Sequence, residues 1–192
     1  MKSSTALAAD VAIGLTAGML ATSMSGPLQK FLYQLMPQSV KRRERQVRPG
    51  PPTKLAAKKL AEGVDAKLPE EQVERAATAI HYASGMPWGV VYALLRRHSG
   101  MTPAGAALAT GASMSIVLDE GLTPAFGLAA ADREYPTATH VRGFISHLAF
   151  GAVTAATAEA LYRLTDTGPG ASEGGQAMRA GRETLAAALG AQ

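Results

Sequence analysis

Apolar and small residues in this chain gather into four stretches that hold no Lys, Arg, Asp or Glu. They are Val11–Gln29, Ala76–Leu95, His98–Leu118 and Gly143–Ala158, of 19, 20, 21 and 16 residues. A helix crossing the hydrocarbon core of a bilayer needs about 20 mostly apolar residues. A soluble helix of that length normally keeps a charged face for water. The pattern therefore predicts an all-α fold, a polytopic membrane bundle of four transmembrane helices within residues 1–165. The spans fall at about 8–29, 76–96, 102–120 and 140–163.

The punctuation between the stretches sets the expected boundaries. Pro37 and then Pro49-Gly50-Pro51-Pro52 interrupt any helix. Thr53 can cap a short amphipathic helix over Lys54–Glu62, with Leu55 and Leu60 among lysines, suited to lie at the cytoplasmic interface. Pro69 with Glu70 and Glu71 opens the second long helix, which runs to about Arg97, and Thr102-Pro103 opens the third. The third ends around Asp119-Glu120-Gly121, and Thr123-Pro124 restarts a short apolar stretch to Ala131. The fourth begins near Thr139 and ends near Thr165. Residues 166–192 read as a flexible tail in which Ala177–Leu189 forms a weak amphipathic helix that does not insert.

Composition tempers the membrane reading without reversing it. Hydrophobic content is 47% and mean hydropathy only +0.04, because much of the apolar content is Ala. An Ala-rich soluble bundle would share that composition, but packed spanning helices also favour Gly, Ala, Ser and Thr, which let backbones approach. There is no cysteine, so neither disulfides nor thiolate metal ligands arise. Met1-Lys2-Ser3-Ser4 and the apolar run after it could pass for a signal peptide, but Asp10 interrupts the run, and an uncleaved first span is expected.

Charge distribution predicts the orientation. Of 19 Lys and Arg, 11 lie between Lys30 and Arg75, including Lys41-Arg42-Arg43-Glu44-Arg45. Basic segments stay on the cytoplasmic side, which makes the loop 37–70 cytoplasmic and the N-terminus external. Arg96 and Arg97 then fall on the external side, two against eleven. No groove-reading motif accompanies the basic run, so the expected contact is anionic lipid headgroups and not nucleic acid.

Ionisable groups within spans are costly and need a reason. The topology places His81, Asp119, Glu120, His140 and His147 on the cytoplasmic half. They could form a proton relay or gate, since His titrates near neutrality. They could hold a metal, although no helix carries a His-x3-His or Exx-His pair and none is expected. They could also be plain helix-end and backbone-bonded groups. Asp10 and Glu159 lie on the external half, where either can pair with Arg96 or Arg97 and tether helices 1, 2 and 4. Gly14-x3-Gly18 and Gly85-x3-Gly89, like Gly105 and Gly111, suit close helix contact, within one chain or between two. Pro87 should kink the second helix beside His81, while Trp88 and Tyr92 read as packing or lipid-facing groups. No nucleophile motif, phosphate loop or dinucleotide fingerprint is present, so neither enzyme activity nor a cofactor is expected.

One layout is familiar. His81-Tyr82-x2-Gly85 is followed by Pro87, Gly89 and Tyr92; Asp119-Glu120-x3-Pro124-x2-Gly127-Leu128 ends the third span. Pro136-x3-His140 and His147-Leu148-x2-Gly151 enter the fourth, with Glu159 near its end. Over about residues 76–163, and more loosely at Gly26-Pro27-x-Gln29-Lys30 after helix 1, this resembles the YagU-like inner-membrane proteins, a bacterial family of unknown function. The resemblance implies a multi-pass inner-membrane protein, in one member loosely associated with acid tolerance. The function expected is a non-enzymatic structural or accessory membrane protein, as a homo-oligomer or in a larger membrane complex. The alternative is a small transporter or proton-handling protein using the His/carboxylate cluster.

Overall fold

A computed structural model describes residues 2–169, and the tail helix expected at Ala177–Leu189 lies outside the described residues. Among those residues the chain is all-α, with no strand. The elements are α1 (Lys2–Leu35), α2 (Gln38–Val47), α3 (Pro52–Glu62), α4 (Glu70–His98) and α5 (Pro103–Met114). A π-helix (Ser115–Leu122) follows, then the single turn α6 (Thr123–Ala125), a 3-10 turn (Asp132–Glu134) and α7 (Thr137–Thr165). α1 packs on α4 and α7, α5 on α7 and α4, and α3 lies on α4.

Local chemistry explains most boundaries. Pro69 precedes α4, with Glu70 and Glu71 in its first turn and Arg96, Arg97 and His98 in its last, each sign placed to favour the helix dipole. Thr102 caps α5 by accepting from the Gly105 amide at 3.1 Å. Gly127 takes φ +62° in the turn after α6, which a side chain would resist. Lys59 of α3 donates to the neighbouring Phe126 carbonyl at 2.8 Å and pins that turn.

Several boundaries differ from those read in the sequence. The Gly26-Pro27-Leu28-Gln29-Lys30 segment lies inside α1, which continues to Leu35. Tyr33 holds this extension, its ring under the Arg142 guanidinium at 5.2 Å and the Lys41 ammonium at 5.6 Å. The basic run is itself a helix, α2, fixed by one buried acid, Glu44. α3 begins at Pro52 after Pro51, so Thr53 is inside the helix and not its cap. The third long helix does not stop at Gly121 but changes winding at Ser115 and continues to Ala125.

Glycines set how closely the helices approach. A Cβ on Gly14 would lie 2.7 Å from the Gly89 carbonyl oxygen and from the Val90 Cα, and one on Gly18 would meet the Met86 backbone. Gly89 and Gly85 answer from α4, against Gly14 and Thr22. Gly111 and Gly151 interlock α5 with α7 in the same way, whereas a Cβ on Gly105 meets only its own capping Thr102 and the Met101 side chain. These contacts are all within one chain.

The result is a core of small residues, including Ala17, Ala93, Ala106 and Ala158, around Tyr92 and Tyr162. Larger apolar side chains such as Met24, Phe31, Leu108, Ile116 and Val141 are exposed. Two helices, over Thr5–Leu35 and Thr137–Thr165, are long and apolar enough to cross a membrane by length and composition. α4 is equally long, but charges crowd both its ends and Ala, Ser, His and Tyr dilute its middle. α5 has 12 residues, about 18 Å of regular helix, before the π segment takes over.

Candidate functional site: a histidine–carboxylate vestibule

Ionisable side chains collect at the two ends of the bundle and differ in kind. At one end Asp10 of α1 is fully buried and paired with Arg97 of α4, whose Nη2 donates to Asp10 Oδ1 at 2.8 Å. The Tyr162 hydroxyl of α7 donates to the same carboxylate at 2.7 Å. Beside it Glu159 accepts from Arg96 Nε at 2.6 Å and from the Tyr92 hydroxyl at 2.9 Å. Arg96 also donates to the Met101 carbonyl, and Arg97 to that of Thr167, each at 2.8 Å or less. Two acids, two guanidiniums and two phenols thus satisfy one another across α1, α4 and α7. Tyr92 and Tyr162, which sequence patterning assigns to packing or leaves unremarked, are structural donors here.

The other end is open. A cavity of about 640 Å³ lies among α1, α4, the π-helix and α7, and Asp119, Glu120, His81, His140 and His147 all line it. The π winding matters because it presents two consecutive carboxylates to one face of α7. His147 Nε2 is 2.9 Å from Asp119 Oδ2, and His140 Nδ1 is 2.8 Å from Glu120 Oε1. His140 and His147 stand seven residues apart on that face, about 10 Å along the axis. π winding is rare in helices and is found frequently at functional sites. Gly143 makes room for the first pair, since a Cβ there would lie 3.0 Å from Asp119 Oδ2. His81 faces the same space from α4 but meets Ser25 of α1 at 3.3 Å and no carboxylate.

His140 is constrained on both ring nitrogens. Nε2 lies 3.1 Å from the Asp132 carbonyl, which can only accept, so this contact is a hydrogen bond in the tautomers that carry a proton on Nε2. Nδ1 faces the Glu120 carboxyl, and two lone pairs cannot share that contact. With Nε2 protonated, that contact is a hydrogen bond only when a further proton sits on one of the two partners, so the pair is a place where a proton can be gained or lost. The Asp132 carboxyl nearby is raised above its ordinary value, by burial first and then by the charge of Glu120.

A buried ion pair covers the rim. Arg142 of α7 donates through both terminal nitrogens to Glu44, at 2.8 and 2.9 Å, and Thr139 adds a bond at 3.1 Å. Burial pushes the Glu44 carboxyl up, but the Arg142 and Thr139 contacts outweigh it and hold the group below its ordinary value of 4.5. Sequence reading passed over this pair because a lone acid among five bases reads as solvated, and its partner is 98 residues away.

Among the described residues no three His, Asp or Glu side chains stand close enough together to hold a metal ion. Comparison with protein-family models, with curated proteins and with solved structures finds no match, so the resemblance to the YagU-like proteins rests on the quoted motif residues alone.

Proposed function

We propose that the protein is a four-span inner-membrane protein that takes up and releases protons at the vestibule beside its basic segment. The observation that carries the proton reading is His140, whose two acceptor-facing nitrogens give the Glu120 contact a place for a further proton. The membrane reading is supported by inverted burial, with Ala and Gly inside and large apolar residues outside. With the basic segment cytoplasmic, the vestibule opens to the cytoplasm and the Asp10–Arg97 and Arg96–Glu159 pairs close the external end. Association with acid tolerance, suggested by the YagU resemblance, fits a titratable group facing that side.

Proteoliposomes loaded with a pH-sensitive dye test this. The wild type should dissipate an imposed pH gradient, and Asp119→Asn and His140→Gln should slow it severalfold at equal protein level. Equal rates in all three would refute proton handling. Cysteine labelling at Ser39 tests the orientation: labelling from outside intact cells would overturn it, and recovery of the protein without detergent would end the membrane reading.

A second reading is favoured by the closed end, where Asp10, Glu159, Arg96 and Arg97 are paired and buried or half-buried. That suits a non-transporting accessory subunit, which senses pH on one side only. Such a protein should copurify with a larger membrane partner in mild detergent and show no flux by itself.

A further inference from the structure

A second cleft, of about 270 Å³, lies beside the vestibule and has the opposite chemistry. It is lined by Gly26, Gln29, Lys30 and Tyr33 of α1, by Arg48 just after α2, and by Arg142 of α7. Three cations from three separate segments therefore face one space. Among the described residues the acid in contact with these cations is Glu44, which is committed to Arg142 through both its oxygens and reaches Arg48 only at 3.5 Å. Lys30 has no ion-pair or hydrogen-bond partner among the described residues. The cleft carries more positive charge than its own acid neutralises.

Its position narrows the ligand. The cleft sits where the apolar part of α1 gives way to Lys30, and the Tyr33 ring forms one of its walls. Gly26 has open space where a side chain would stand, with nothing within 4 Å of a Cβ. Such an arrangement offers several donors to one phosphate at the end of an apolar helix long enough to cross a membrane. Basic pockets between spanning helices recognise anionic lipid headgroups in this way. Fork-shaped guanidiniums suit phosphate oxygens better than a diffuse surface charge does.

We propose that this cleft is a specific site for the phosphate of an anionic glycerophospholipid, held by Lys30, Arg48 and Arg142 with Gln29 as a neutral donor. The site is distinct from the exposed Arg42 and Arg43 on α2, which can attract a charged surface but do not line the cleft. The proposal rests on the membrane reading above and is independent of proton handling.

Native mass spectrometry of the full chain, titrated in detergent with phosphatidylglycerol, tests it. One phosphatidylglycerol should be retained per chain, and phosphatidylcholine should not be. Lys30→Gln, which breaks no contact among the described residues, should weaken retention about tenfold, the loss of one charge-assisted contact. Arg48→Gln should act alike, whereas Arg43→Gln removes the same charge outside the cleft and should leave retention unchanged. Equal losses from Arg43→Gln and Lys30→Gln would mean diffuse attraction and overturn the site. Competition by inorganic phosphate as strong as by the lipid would overturn the lipid as its ligand. Full solubility without detergent would remove the membrane reading itself, a result separate from loss of lipid preference in a detergent-dependent protein.

Discussion

Asp10→Asn is the sharpest test of how the closed end is held. Asp10 has no exposed surface and accepts from Arg97 and Tyr162, so it joins α1, α4 and α7 at one point. The amide keeps the shape but loses the charge, and it presents an NH2 where one acceptor oxygen stood. Arg97 is then left with one good acceptor side chain and the Thr167 carbonyl, at 22% side-chain exposure, and cannot be rehydrated in full. Breaking one partner of a buried pair costs about 3–5 kcal/mol. The retained hydrogen bonds and the partial exposure of Arg97 reduce that to about 2–3 kcal/mol. Glu159→Gln is the comparison, because the Glu159 side chain is 16% exposed where Asp10 has no exposure, and water can reach the new amide itself. It should cost about 1 kcal/mol. Unfolding in detergent, followed by loss of helical circular dichroism against denaturant, gives both values from shifts in midpoint. An Asp10→Asn effect below about 0.5 kcal/mol, or one smaller than that of Glu159→Gln, would refute the argument that burial makes Asp10 the keystone.

Other consequences follow from the same geometry. Gly89→Ala should destabilise by about 1–3 kcal/mol, since its Cβ meets the Gly14 and Gly18 backbones, while Gly26→Ala should be neutral or stabilising; thermal melts separate the two. Glu44 has a lowered folded-state pKa, so its contribution is complete above 4.5 and disappears as pH falls through the lowered value. Acid should therefore loosen α2 from α7, seen as faster proteolysis near Arg45, and Glu44→Gln should remove most of that pH dependence. The Thr110 and Thr154 hydroxyls are buried with no hydrogen-bond partner among the described residues, so Thr110→Val and Thr154→Val should stabilise or leave stability unchanged by melting temperature, and a loss above about 1 kcal/mol would show an unrecognised partner.

Helix starts were legible because their chemistry is local. Pro69-Glu70-Glu71 and Thr102-Pro103 satisfy or dispense with the free amides at a helix start whatever the rest of the chain does. The same holds for the small-residue faces, since Gly14, Gly18, Gly85 and Gly89 can serve close approach only if another backbone comes near. Which backbone comes near is not written locally.

Pairing was decided by packing. Arg96 and Arg97 are neighbours in sequence, but successive residues on a helix point about 100° apart. One therefore reaches Glu159 on α7 and the other Asp10 on α1, an assignment that depends on where α4 sits between them. The π winding of Ser115–Leu122 has no local signature, because its benefit is the alignment of Asp119 and Glu120 with His147 and His140, residues on another helix. Glu44 offers the same lesson from the opposite side. Its composition context says solvent, and its partner Arg142 says interior; contact across 98 residues outweighs the character of a ten-residue neighbourhood. Local hydrophobic and capping patterns set where this chain is helical, and the spacing of helices set by glycine contacts decides which charges meet.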